Sequence, residues 1–165
     1  MAIILGLFLL PAVQTVVAKN VLTYFLEEDN VELNLERIAI TPFSAVEISG
    51  LYLSDQEKDT LLFINSLKVY VDDWTVSPFE LKFDSVILDN SKFYMSVQSG
   101  DSLSNLQFVI DRFSSDSKDT SNMDYHLDFG AVRLNGVFFH WDDFNQPNVS
   151  DTAYGINFNH LAVQQ

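Results

Sequence analysis

The stretch Leu81 to Met95 reads Leu-Lys-Phe-Asp-Ser-Val-Ile-Leu-Asp-Asn-Ser-Lys-Phe-Tyr-Met, and the rest of the chain repeats its pattern. Its apolar residues fall at Leu81, Phe83, Val86, Leu88, Phe93 and Met95. Alternation from Leu81 to Phe83 and from Val86 to Leu88 is the period of a strand with one buried face. The three-residue step from Phe83 to Val86 breaks that parity, and a β-bulge supplies the one extra residue needed. Asp89-Asn90 marks a turn or sharp kink, because both residue types tolerate the left-handed region and bond their own backbone. The unit is strand, kink, strand.

Leu127 to Trp141 repeats the unit, with Leu127, Phe129, Val132, Leu134, Asn135-Gly136, Phe139 and Trp141 at the same offsets. The front half recurs as Leu33, Leu35, Ile38, Ile40, as Leu62, Ile64, Leu67, Val69, and as Ile156, Phe158, Leu161, Val163. Val46, Ile48, Ser49-Gly50 and Leu53 match the back half. The irregular spacing argues against a strict solenoid and for a long sheet of loosely similar strands.

A chain of 165 residues is long enough for one domain with a real core. Fourteen Phe and a wealth of Val, Ile and Tyr suit pleated, half-buried surfaces. The formal net charge of -14 argues against nucleic acid and against a polybasic grip on anionic headgroups. Without cysteine there is no disulfide framework and no thiolate metal site.

Met1 to Ala18 is almost wholly apolar, interrupted by Gly6, Pro11, Gln14 and Thr15. A membrane-spanning helix needs about 20 apolar residues, and this stretch falls within the ~17 to 25 range. It reads as an anchor over 1–18 whose basic N-terminal flank is missing, continued by a helix over 19–30 that Asn30 caps. A cleaved signal peptide is the rival, but no small-x-small site opens onto a polar start. Strands are expected at Val31–Thr41, Ala45–Ser54, Thr60–Asp72, Phe79–Asp89, Lys92–Val97, Tyr125–Leu134, Val137–Trp141 and Gly155–Val163. Ser102–Phe113 reads as a short helix or lateral strand. The expected fold is all-β: an elongated, strongly twisted, open, taco-like antiparallel sheet with an N-terminal transmembrane or amphipathic helix. Residues 31–165 read as the start of a β-groove that continues beyond Gln165.

Catalytic signatures are absent from the sequence: it has no G-x-S-x-G, no phosphate-binding Gly loop and no Cys nucleophile. His126, His140 and His160 with Asp142 and Asp143 invite a metal reading, but their spacing matches no zinc motif. Asp55, Glu57 and Asp59 alternate like the front of a calcium loop whose Gly and closing Glu are missing, which leaves a solvated turn. The Asn148-Val149-Ser150 sequon carries no weight without knowledge of the host. The expectation is therefore a protein that is not an enzyme and uses no cofactor or metal. What remains is the apolar row, with little in the chain to cover it. A curved sheet lined but not filled by apolar side chains is what a lipid-holding groove needs. The expected lining is Leu81, Phe83, Val86, Leu88, Phe93, Leu127, Phe129, Val132, Leu134 and Phe139.

Leu10-Pro11-Ala12-Val13-Gln14-Thr15 with Val17-Ala18-Lys19 resembles the end of the anchor in TamB, the translocation and assembly module subunit, of the Bacteroidetes type. Asp55 to Leu62 with Leu67-Lys68-Val69 is similar to that family's first long hairpin, and Leu88 to Tyr94 to its recurring strand-turn phrase. The chain lacks that family's basic N-terminal flank and its C-terminal domain. The resemblance implies an inner-membrane anchor and a periplasmic β-groove reaching toward a BamA-type outer-membrane barrel. It places the chain near the AsmA-like and bridge-like lipid-transfer proteins. The implied roles are phospholipid transport between the membranes and assembly or secretion of outer-membrane proteins, with phospholipid acyl chains as partner. The rival expectation is a β-sandwich binding or adhesion module of a secreted or surface protein. One open sheet against two packed sheets separates the two.

Overall fold

The structure is a computed structural model that describes residues 9–26, 30–41, 44–71, 80–107, 109–111, 126–149 and 155–165. Helix α1 spans Pro11–Leu26, and seven strands follow: β1 Leu33–Thr41, β2 Ala45–Ser54, β3 Thr60–Val71, β4 Glu80–Val97, β5 His126–Asn135, β6 Phe138–Asp143 and β7 His160–Gln164. All seven belong to one open, mixed sheet in the order β1-β2-β3-β4-β6-β7, with β5 on the same side of β4 as β6.

The two copies of the long unit lie side by side. β5 runs parallel to the first half of β4, with Phe83 beside Phe129, Val86 beside Val132 and Leu88 beside Leu134. β6 runs parallel to the second half, with Phe93 beside Phe139 and Met95 beside Trp141. The expectation of a purely antiparallel sheet is corrected here. Alternation is the same for either direction, and parallel neighbours need a crossover of a dozen residues or more, which the segment between Val97 and His126 is long enough to supply. Part of that crossover is described: Ser104 bridges to Val97, and Leu106 O accepts from Val109 and Ile110 N–H in a helical turn.

The expected parity break in β4 is present. Tyr70 faces Ser85 but Val71 faces Phe83, so Asp84 is an extra residue on β4. The pairing with β5 is unshifted on either side, Phe83 with Phe129 and Ser85 with Ala131, so β5 takes the same step at Gly130. A Cβ on Gly130 would stand 2.6 Å from the Asp84 carbonyl oxygen, which is why the residue there has no side chain.

Of the turn or kink expected at Asp89-Asn90, the structure shows the kink, within one continuous strand. Asn90 holds φ +47, Gly50 in β2 φ +62 and Gly136 between β5 and β6 φ +62. These residues form one line across the sheet, since Gly50 and Asn90 both lie opposite Asn65, and Gly136 lies beside Asn90. β1 and β3 take the same three-residue step there, Leu35 to Ile38 and Ile64 to Leu67. Resetting parity together keeps one face apolar on both sides of the line: Ile64, Leu88 and Val137 form a buried cluster with Leu51, Leu62, Leu67 and Phe93 packed on it. A second cluster, Leu26, Leu53 and Leu61, is where α1 and the turn at Leu106 and Val109 meet the sheet.

The expected anchor lies partly outside the described residues, and one strand boundary is corrected. Among the described residues no helix is long and apolar enough to cross a membrane. Residues 1–8 of the expected anchor lie outside the described residues, and residues 11–18 form the first half of α1, which continues through Lys19 and Asn20 to Leu26. Sixteen residues make a helix of about 24 Å, short of a ~30 Å hydrocarbon core. α1 starts at Pro11, whose fixed φ and missing N–H suit the first helical position. The last strand begins at His160, so Ile156 and Phe158, 45% and 63% exposed, stand outside the sheet.

Candidate functional site

Each apolar row of the sequence becomes a row of neighbours across the sheet. Ile40, Val46, Val69, Val86 and Val132 form one, and Ile38, Ile48, Leu67, Leu88 and Leu134 the next. Beyond the kink, Leu33, Leu53, Leu62, Phe93, Phe139 and Val163 cross six strands. Directly paired residues project to the same side, so these rows share the face on which the buried clusters sit. The intervening row is Ala39, Glu47, Lys68, Ile87 and Arg133, with a Lys68–Glu47 ion pair at 3.3 Å on the other face.

The ten expected lining residues fall into five adjacent pairs: Leu81 with Leu127, Phe83 with Phe129, Val86 with Val132, Leu88 with Leu134, and Phe93 with Phe139. The side chains of Leu81, Leu127 and Phe129 lie outside the described residues. Burial of the others is graded. Leu88 is 9% exposed, Phe83, Val86, Phe93 and Phe139 are half-buried, and Val132 is 60% exposed. The face is thus closed by its own side chains at its centre and open toward β5. Ile38, Ile40, Val46, Ile48, Leu67 and Val69 belong to the same surface, and their alternation is the signal by which the sequence offered them.

One end of the sheet carries polar groups. Asp55 is 4% exposed, and both its oxygens are occupied. Oδ1 accepts from Glu57 and Asp59 N–H at 3.1 and 2.9 Å, and Oδ2 from the Asn105 amide at 3.1 Å. This carboxylate fastens the β2–β3 turn. Beside it a cleft of about 620 Å³ is lined by Glu57, Asp59, Tyr94, His140, Asp142 and Phe144, among others. Of the residues considered for a metal, His140, Asp142 and His160 meet, whereas His126 stands beside Glu80 at the far end of β4. Among the described residues no group of three carboxylates or histidines is arranged to hold a metal ion.

His140 Nε2 lies 2.5 Å from Asp142 Oδ2, and His160 Nδ1 lies 2.8 Å from Asp142 Oδ1. Burial acts to raise the Asp142 carboxyl, but the bonds and charges of His160 and His140 hold it below its ordinary value. The Gln146 carbonyl and then Asp142 push His160 above its ordinary value, against the opposing effect of burial. Gln14 and Thr15 of α1 bond the backbone of Ile40 and Ile38 in β1, and neither these bonds nor the joining of His140 and His160 through Asp142 was foreseen. Both depend on which strands become neighbours.

No protein-family model, no curated protein and no solved structure matches this chain.

Proposed function

We propose that the chain is a non-enzymatic lipid-handling protein whose open sheet forms a taco-like groove for phospholipid acyl chains. On this reading it belongs with the TamB and AsmA-like proteins that its sequence resembles. It works in the periplasm between an inner membrane and a BamA-type outer-membrane partner, in phospholipid transport or outer-membrane protein assembly. One observation carries the proposal: continuous apolar rows on a single face of an open sheet, still exposed at Val132 and Leu134. Acyl chains bind such a surface through apolar area, at roughly 25 cal/mol per Å², so alternating Val, Leu, Ile and Phe suffice. The exposed Val16, Val17, Val21 and Tyr24 of α1, with Leu10 just before it, support contact with a bilayer. The adhesion-module alternative expects a second packed sheet, and the described strands all belong to one.

Val132 and Arg133 provide the test, because both are exposed and they face opposite sides. A photo-crosslinking amino acid at each is irradiated with vesicles of phosphatidylethanolamine and phosphatidylglycerol. Label at Val132 and none at Arg133 is the expected result. Equal label at both, or none at either, overturns the groove.

A further inference from the structure

We propose that His160, Asp142 and His140 form a proton-operated clasp that fastens β7 to the sheet and loosens as pH rises. The geometry fixes the proton count. His160 Nδ1 faces the Asp142 carboxylate at 2.8 Å, and His160 Nε2 faces the Gln146 carbonyl oxygen at 3.1 Å. A carboxylate and a carbonyl only accept, so both bonds exist together only when both ring nitrogens carry hydrogen. The neutral ring keeps one bond and turns a lone pair on the other oxygen. His140 needs a single proton, on Nε2, to bond Asp142.

The clasp joins three pieces of chain at the end of β6, where Asn145 and backbone bonds from Asp143 and Phe144 also fasten the turn. His160 is the first residue of β7 and lies directly beside Asp142 in the ladder. Gln146 sits in the turn that leaves β6, where Asp143 Oδ1 accepts from Asn145 N–H at 3.0 Å. β7 itself is five residues long and paired on one side, to β6. The titratable groups on β6 are His140, Asp142 and Asp143; the β2–β3 turn brings Asp55, Glu57 and Asp59 to the same cleft, and β4 presents Tyr94 beside His140 and uncharged Ser96 beside Asp142. Phe144 covers His160 edge-on at 6.2 Å, and the His160 side chain is 10% exposed. Protonated His160 therefore meets carboxylates and a carbonyl, and among the described residues no Lys or Arg acts on it.

The sign follows by linkage. A histidine raised in the closed form stabilises that form fully below its ordinary value of 6.5, and the contribution is lost as pH rises through the raised value. Release of β7 withdraws Leu161 and Val163 from beside Trp141 and Phe139, which lengthens the open margin of the apolar face.

The experiment is hydrogen exchange of the full chain between pH 5.5 and 8.5, corrected for intrinsic rates, with the His160 ring titrated by NMR in the same samples. Protection of Leu161, Ala162 and Val163 should fall along the His160 titration curve. The fall should be tenfold for each unit separating the closed and open pKa values, while β3 and the centre of β4 stay constant. His160→Gln should remove the pH dependence, and Asp142→Asn should lower the His160 pKa. Flat β7 protection through the His160 titration overturns the clasp. So does an equal fall in β3 and β4, which marks global unfolding, and the wild-type series alone decides if a variant does not fold.

Discussion

Along β1, the backbone of Ile38 and Ile40 is bonded from outside by two side chains of α1. Along β5, no described residue does this for Ala131 to Asn135. Gln14 behaves like a piece of strand: its Oε1 accepts from Ile40 N–H at 2.7 Å and its Nε2 donates to Ile40 O at 3.1 Å. The Thr15 hydroxyl accepts from Ile38 N–H at 3.0 Å and lies 2.7 Å from Pro11 O and 3.2 Å from Ile38 O, to either of which it can donate. An unpaired strand edge is a template for unwanted pairing, and here one edge is covered by a helix. The far side of the described sheet ends in β7 and in β5, whose Val132 and Leu134 are 60% and 37% exposed. The difference teaches where the sheet is finished and where its apolar face remains available.

The largest effect comes from placing a charge at the centre of the face and at its open margin. Leu88 and Val132 belong to adjacent rows of one surface. Leu88, however, is packed with Ile64 and Val137. An unpaired carboxylate there costs several kcal/mol, a large part of a typical ~5–15 kcal/mol stability. Leu88→Asp should therefore abolish cooperative urea unfolding, and Leu88→Ala should cost about 2–5 kcal/mol. Val132→Asp should shift stability by no more than about 0.5 kcal/mol. If Val132→Asp unfolds the protein as Leu88→Asp does, the β5 margin is covered and the comparison fails.

The second effect concerns the covered edge. Thr15→Val keeps the shape of the side chain and deletes its hydroxyl, leaving Ile38 N–H beneath the helix without its acceptor. An unsatisfied, part-buried group costs about 1–3 kcal/mol, read as a lower urea midpoint at unchanged slope. Gln14→Leu should cost less, since Ile40 is 38% exposed and water can replace the lost amide. Should Thr15→Val leave the midpoint where it was, α1 is not what finishes β1.

The kinks were legible because they need special residues: Asp89-Asn90, Asn135-Gly136 and Ser49-Gly50 announce left-handed backbone wherever they fall. The apolar face was legible for the same kind of reason, since a period of two states which face a residue occupies. Direction was not, because Leu127 to Trp141 alternates identically whether it runs parallel or antiparallel to Leu81 to Met95. Gln14 and Thr15 read as blemishes in an apolar helix because their partners, the outward groups of Ile38 and Ile40, are backbone and carry no sequence signal. His140 and His160 could not be joined through Asp142 without the β6–β7 register, which no local pattern encodes.

The smallest effect separates the two fastenings by acid. Gln14 and Thr15 do not titrate, so the seam between α1 and β1 should ignore pH in itself. The seam between β6 and β7 depends on a carboxylate. His160 and His140 lower the Asp142 pKa below 3.8 despite its burial, so the ionised group stabilises the folded arrangement above its ordinary value. That contribution is lost as pH falls through the lowered value. Hydrogen exchange measured from pH 5 down to pH 2.5 should show Ala162 and Val163 losing protection before Ile38 and Ile40 do. Asp142→Asn cannot ionise, so it should start with weaker β7 protection and lose little more on acidification. Simultaneous loss at β1 and β7 in the wild-type chain would mean that both seams fail with the whole sheet and that Asp142 holds nothing locally.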